Sequence, residues 1–216
     1  LSNIIRLYCN TMGVIAKQSI RGTIVTYLGI AVGVVTTFFV LTRFLTAEEI
    51  GLTRVLIDAA TLFIGLAQLG TNSSIIRFYP YFSDGKQENH GFFFWALVVP
   101  FIGFVLFAII YCACSVPLAA LFGDKSPLFV EYYYFVVPLA FFMLYQTICE
   151  STSNVLMHIV VPRAVRELIV RVGLLVVNVL YAFRVVSLDG LVIGLCINYA
   201  VAAIINICYF FSLQSI

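Results

Sequence analysis

Charge is scarce in this sequence. Lys and Arg number 12 and Asp and Glu 10 among 216 residues, so charged side chains make up 10% of the chain, where a soluble domain carries about a quarter. The shortage excludes a water-soluble fold, which would lack the polar residues to cover its surface. The net charge of +2, scattered along the chain, forms no basic patch and argues against a nucleic-acid partner.

Histidine is scarcer still, with His90 in a polar stretch and His158 in an apolar run. The sequence has no HExxH, no G-x-S-x-G, no glycine-rich phosphate loop after a strand and no paired carboxylates in a loop. The common catalytic patterns are therefore missing, and no enzyme activity and no cofactor are expected. The one loop polar enough for chemistry at an interface, SDGKQENH, reads as a solvated turn. Of the six cysteines, Cys112, Cys114, Cys149, Cys196 and Cys208 sit in apolar runs, as packing residues do. Cys112-Ala-Cys114 lacks the spacing and the companion ligands of a zinc site, so no metal is assigned.

What the chain does have is apolar length. Hydrophobic residues make up 62% of it, with 20 Phe and 12 Tyr, and the mean hydropathy is +1.08. A membrane helix needs about 20 apolar residues, and runs of that size cover residues 22–44, 51–78, 92–122, 129–161, 164–186 and 191–211. The expected fold is an all-α integral membrane bundle of about six transmembrane helices, forming one unit over residues 1–216. The connections (LTAEE, YFSDGKQENH, GDKS, the turn at Pro162-Arg163, and SLDG) leave no room for a soluble domain. The rings suit membrane interfaces. The first run is too long for a signal-peptide core and lacks a small-residue cleavage site after it.

Orientation follows from the basic residues. With the N-terminus in the cytoplasm, Arg6, Lys17, Arg21, Arg77, Lys86, Arg163, Arg166 and Arg171 fall inside and Arg43, Arg54, Lys125 and Arg184 outside, a bias that favours both termini inside. The chain opens on Leu1, and MGVIAKQSIRG reads as a natural start at Met12. At the other end, Ile216 follows directly on a span, which leaves open a whole protein or the first half of a longer one.

Polar residues inside the spans fall into stripes. Positions alternately four and three apart share a helix face, and Arg54, Asp58, Thr61, Gly65, Gln68 and Asn72 follow that spacing. Charge in lipid costs several kcal/mol, so such a stripe should face protein or a water-filled cavity. Arg54 and Asp58 can pair; equally, Arg54 can snorkel to the interface from its place near the helix start. The fourth span carries Thr147, Glu150, Asn154 and His158. The fifth carries Glu167 and Arg171, an acid-before-base pair one turn apart, with Asn178 two turns on. The sixth carries Asn198 and Asn206. A shared polar lumen would serve all of them, with Glu150 a candidate for a coupling ion or proton and helix-to-helix hydrogen bonding as its competitor. In the first span Gly22, Thr26, Gly29, Gly33 and Thr36 form a small-residue stripe that lets a second helix approach. Pro100, Pro117 and Pro138 can kink their spans.

One family shares these features. The basic entry Lys17-Gln18-Ser19, the Gly-rich first span, Leu45-Thr46-Ala47-Glu48-Glu49-Ile50-Gly51, Gly70-Thr71-Asn72-Ser73 and Arg77-Phe78-Tyr79-Pro80 resemble the N-terminal region of polysaccharide and oligosaccharide flippases of the multidrug/oligosaccharidyl-lipid/polysaccharide exporter superfamily. The resemblance covers about the first 90 residues, and the six-span layout continues it. It implies one lobe of a two-lobed, pseudo-two-fold exporter, with a second six-helix lobe in the same chain or a homodimer partner.

The implied function is flipping of undecaprenyl-pyrophosphate-linked oligosaccharide across the bacterial inner membrane for surface polysaccharide synthesis. Lipid-linked oligosaccharide and membrane lipids are the implied partners. On that resemblance Arg54, Asp58, Gln68 and Asn72 line the lumen, with Arg54 on the pyrophosphate or sugar acids, Asp58 positioning it, and Arg77 and Arg171 near the cytoplasmic mouth. The rivals are a cation-coupled drug exporter of the same superfamily, with Glu150 or Asp58 as coupling carboxylate, and a non-transporting membrane scaffold. A membrane enzyme acting on polyprenyl lipids is least favoured, since no loop carries the chemistry.

Overall fold

The computed structural model describes residues 2–82, 91–122, 126–156 and 158–214, and every regular element among them is helical. Helix α1, Ser2–Val35, runs on through a π-helical stretch, Thr36–Leu41, and a last turn, Thr42–Phe44. It is followed by α2 (Ala47–Ala67), α3 (Thr71–Phe82), α4 (Phe92–Ala113), α5 (Ser115–Phe122), α6 (Pro127–Glu131) and α7 (Val136–Val155). Helix α8 combines Val160–Ala164, a π-helical stretch Val165–Ile169, and Val170–Ala182, and α9 is Leu188–Gln214.

Among the described residues, five segments are long and apolar enough to cross a membrane: Gln18–Phe44, Ala47–Ala67, Phe94–Ala113, Tyr133–Val155 and Leu188–Ser212. The fifth expected span, 164–186, is helical as α8, but Arg163, Arg166, Glu167 and Arg171 set it apart from the apolar five. Three other expected spans are shorter or broken. Residues 51–78 divide at Leu69 and Gly70, both at positive φ (48° and 75°), a backbone region that glycine enters freely and leucine does not. Residues 92–122 divide at Cys114, and the helix within 129–161 ends at Val155. Residues 83–90, with His90 and Lys86, and residues 123–125 lie outside the described residues.

Local chemistry starts α2 where it does. Thr46 accepts from the Glu49 backbone N–H at 3.3 Å, and the Glu49 carboxylate accepts from the Thr46 N–H at 2.8 Å, a reciprocal cap that satisfies two free donors. The Tyr181 hydroxyl donates to the other oxygen of Glu49, so the same carboxylate ties the end of α8 to the start of α2. Thr46→Ala should lower the stability of the bundle by about 1 kcal/mol, with Thr46→Ser close to the parent, as read from thermal unfolding in detergent. Equal midpoints for Ala and parent would mean that the cap contributes nothing.

Helix α7 is the centre of the packing, against α9, α2, α3 and α4, whereas α1 packs chiefly on α8 and not on its sequence neighbour α2. Leu52, Leu56 and Ala60 from α2, Leu139, Leu144 and Ile148 from α7, and Leu191, Val192 and Leu195 from α9 belong to one continuous buried cluster. Several rings expected at membrane interfaces pack inside it. Tyr111 and Tyr133 stack with centroids 4.2 Å apart, and the Tyr133 hydroxyl donates to the Tyr111 carbonyl at 2.7 Å. Phe63 meets Phe104 at 5.6 Å. The outer faces are apolar too: Phe38, Leu62 and Ile109 are exposed, which suits lipid as the surrounding solvent.

Candidate functional site

The glycine stripe of α1 is where the site begins. A Cβ at Gly29 would lie 2.4 Å from the Glu167 carbonyl oxygen, at Gly33 3.0 Å from Arg171 Nη1 and at Gly22 3.1 Å from Arg163 Nη1. The absence of side chains on this face therefore seats the charged residues of α8 against the α1 backbone. The Arg171 Nη1 donates to the Gly29 carbonyl at 3.1 Å, and its Nη2 stands 2.8 Å from Glu167 Oε2. Glu167 Oε1 lies 3.5 Å from Arg166 Nη2, and Arg166 Nη1 donates to Glu150 Oε2 at 3.0 Å. The result is a ladder of alternating charge from α1 through α8 to α7.

The π-helical stretch Val165–Ile169 carries Arg166 and Glu167. Such stretches are rare and occur often at functional sites. The second one, Thr36–Leu41 in α1, contributes Thr36, Thr37 and Leu41 to the lining of a cleft. That cleft, about 260 Å³, is bounded by Thr36 and Thr37 of α1, Thr53, Arg54 and Asp58 of α2, Arg171 and Asn178 of α8, and Leu191 and Leu195 of α9. Arg171 also borders a second chamber of about 370 Å³ that contains Gln146, Thr147, Glu150, Arg166 and Glu167. On the outside, Arg54 and Arg171 face a shallow groove with Gly33 and Thr37. Arg171 is thus common to all three spaces.

Of the residues expected to line a lumen, Arg54, Asp58 and Arg171 come together in the cleft and Glu150 stands in the adjoining chamber. Gln68 and Asn72 do not border either space; Asn72 Nδ2 donates to Gln68 Oε1 at 2.9 Å across the break between α2 and α3. That break ends the stripe, because the left-handed turn resets the helical phase on which the stripe depended. Arg77 is exposed on α3, its guanidinium 5.8 Å from the Phe78 ring centroid, and is not among the cleft residues.

Arg54 and Asp58 form no ion pair within 4.0 Å, and Arg54 makes no hydrogen bond among the described residues, whereas Glu167 and Arg171 pair at 2.8 Å. Order along the helix accounts for the difference: acid before base at one turn aligns with the helix dipole and base before acid opposes it. The asparagines of α9 do not share the lumen expected for them. Asn198 Nδ2 donates to the Val170 carbonyl at 2.9 Å, a helix-to-helix bond, and Asn206 is 1% exposed within the core. His158 is exposed, with its Nδ1 3.3 Å from the Tyr209 hydroxyl.

Several site residues carried no signal of their own. Arg163 and Arg166 read as a turn and a cytoplasmic charge, and Thr36 and Gly29 as packing. The usable hint was the crowding of four charges into residues 163–171, dense for a segment between two apolar spans.

These observations define a class: a multi-pass, all-helical membrane bundle with a charged cleft between its helices. Compared with known proteins, the chain matches no protein-family model, no curated protein and no solved structure.

Proposed function

We propose that the chain is one lobe of a flippase that carries undecaprenyl-pyrophosphate-linked oligosaccharide across the bacterial inner membrane for surface polysaccharide synthesis, with its N-terminus in the cytoplasm. One observation carries the reading: Arg54 and Arg171 border a single cleft between the helices of an apolar bundle, and Arg54, exposed there, has no carboxylate partner among the described residues. Charge at membrane depth is costly and tends to mark a substrate or ion path. A guanidinium left without an acid offers its fork of donors to an external anion, and phosphate oxygens match that fork. A second lobe, in the same chain or from a homodimer partner, would close the cleft from the side of the Arg54 groove.

The exporter reading, with Glu150 or Asp58 taking a coupling cation, has less support. Glu150 is held by Arg166 at 3.0 Å, and a cationic drug entering the cleft would meet two guanidinium groups. The test is transfer of a fluorescent polyprenyl-pyrophosphate oligosaccharide between leaflets of proteoliposomes that contain the complete protein. Arg54→Gln should slow transfer about tenfold, the size expected for loss of a hydrogen-bonded charge contact, and Arg77→Gln should leave it unchanged. Transfer at the parental rate in Arg54→Gln would overturn the assignment.

A further inference from the structure

We infer that the cleft recognises hydroxyl groups as well as an anion, with Asn178, Thr36 and Thr53 as specificity residues for a phosphorylated sugar or polyol. The inference rests on the cleft being the substrate site, and it adds what the substrate must carry besides its negative charge.

Thr36 Oγ1 donates to the Val32 carbonyl at 2.8 Å, and Thr53 Oγ1 donates to the Ile50 carbonyl at 2.9 Å. A hydroxyl has one proton to give, so each of these can offer the cleft only lone pairs. Asn178 Nδ2 donates to the Leu174 carbonyl at 2.7 Å. Its Oδ1 accepts from no group among the described residues, although the residue is only 7% exposed and borders the cleft. Oδ1 is covered in this conformation, and the terminal amide torsion is soft, so a ligand donor reaches it by a rotation that gives up the Nδ2 bond to Leu174. The Asp58 carboxylate adds two more acceptor oxygens. Arg54 and Arg171, in contrast, can only donate.

The cleft therefore brings together two donor guanidinium groups with acceptors of three kinds, hydroxyl lone pairs, an amide oxygen and a carboxylate. A ligand that satisfies both must be an anion that also bears hydroxyl or N–H donors. Fully ionised pyrophosphate satisfies the arginines and leaves the acceptors unmatched. An alkylammonium does the opposite and meets two like charges. A buried acceptor left without a donor carries a desolvation penalty, and sites built around hydrogen bonds reject analogues that lack the matching group. The volume of about 260 Å³ lies just below the usual range of ligand pockets, which suits one phosphorylated sugar residue and not a whole oligosaccharide.

The test is calorimetric titration of the complete protein in lipid nanodiscs with glucose 1-phosphate and with cyclohexyl phosphate, matched in charge and ring size but without hydroxyls. Glucose 1-phosphate should bind about tenfold more tightly. Asn178→Leu, close in shape and without the acceptor, should bring the ratio near one and leave cyclohexyl phosphate binding as in the parent. Thr36→Val, whose hydroxyl is already turned to its own helix, is the variant least prone to misfold and should lower the ratio about threefold.

Equal affinity of the parent for the two phosphates overturns the inference, as does an unchanged ratio in a folded Asn178→Leu or in Thr36→Val. Transport separates this inference from the reading beneath it. A retained sugar preference without lipid flipping would defeat the flippase and leave the hydroxyl site, whereas flipping without the preference would do the reverse.

Discussion

Arg171→Ala is expected to stop transport and to destabilise the bundle together. One guanidinium donates through Nη1 to the Gly29 carbonyl and holds Glu167 through Nη2, so its removal separates α1 from α8 and leaves Glu167 with only Arg166, at 3.5 Å. Removing one member of a buried ion pair costs about 3–5 kcal/mol. Since 35% of the Arg171 side chain is exposed, solvent in the cleft screens the pair and the lower figure applies.

Arg171→Lys should rescue little, because an ammonium cannot span both partners as the planar fork does. The double variant Arg171→Met with Glu167→Met separates the two roles. Replacing a buried pair with apolar residues is often neutral for stability, so this variant should unfold near the parental midpoint in detergent and still fail to transport. Transport by the double variant at the parental rate would show that Arg171 is only a strut.

The second large effect is expected at Gly29. Gly29→Val puts a branched side chain where a Cβ alone would be 2.4 Å from the Glu167 carbonyl oxygen. That neighbour is backbone and cannot rotate away, so α1 and α8 must part and the Arg171 bond to the Gly29 carbonyl is lost with them. Overpacking of this kind costs about 1–3 kcal/mol, occasionally more, and the broken arginine contact adds to it. Gly65→Ala is the control: no atom lies within 4 Å of a Cβ there, and alanine is the better helix former by up to about 1 kcal/mol. Thermal unfolding in detergent should therefore fall sharply for Gly29→Val and hold or rise for Gly65→Ala. Comparable midpoints for the two would remove the glycine seat from the account of how α1 is held.

Much of the architecture was legible from residue types. The scarcity of charge and the length of the apolar runs imply a helical membrane chain, since only helices and closed barrels satisfy their backbones in lipid. The acid-before-base order of Glu167 and Arg171 announced their pair, whereas Thr46 and Glu49, read as part of a connection, form the cap that starts α2 four residues before the expected span. The reading failed where a run of apolar residues was taken for a continuous helix. Hydropathy does not register the left-handed turn at Leu69 and Gly70 or the stop at Cys114, because neither changes how apolar the run is.

The site divides along the same line. Arg54, Asp58 and Arg171 stood out because charge is conspicuous in an apolar background, and that contrast is a property of the sequence. Which of them meet, and through what, depends on contacts between segments far apart in the chain. Gly29 and Arg171 are bonded across 142 positions, and Glu150 reaches Arg166 from a different helix. Helical periodicity assigns a residue to a face of its own helix, and nothing within one helix states which neighbour that face will meet. The solvent, the helices and the stock of charged groups were therefore written in the order of residues. The glycine seat for Arg171 and the unmatched Asn178 oxygen came only from the packing of helices, where backbone against side chain determines which polar atoms are satisfied and which remain for a ligand.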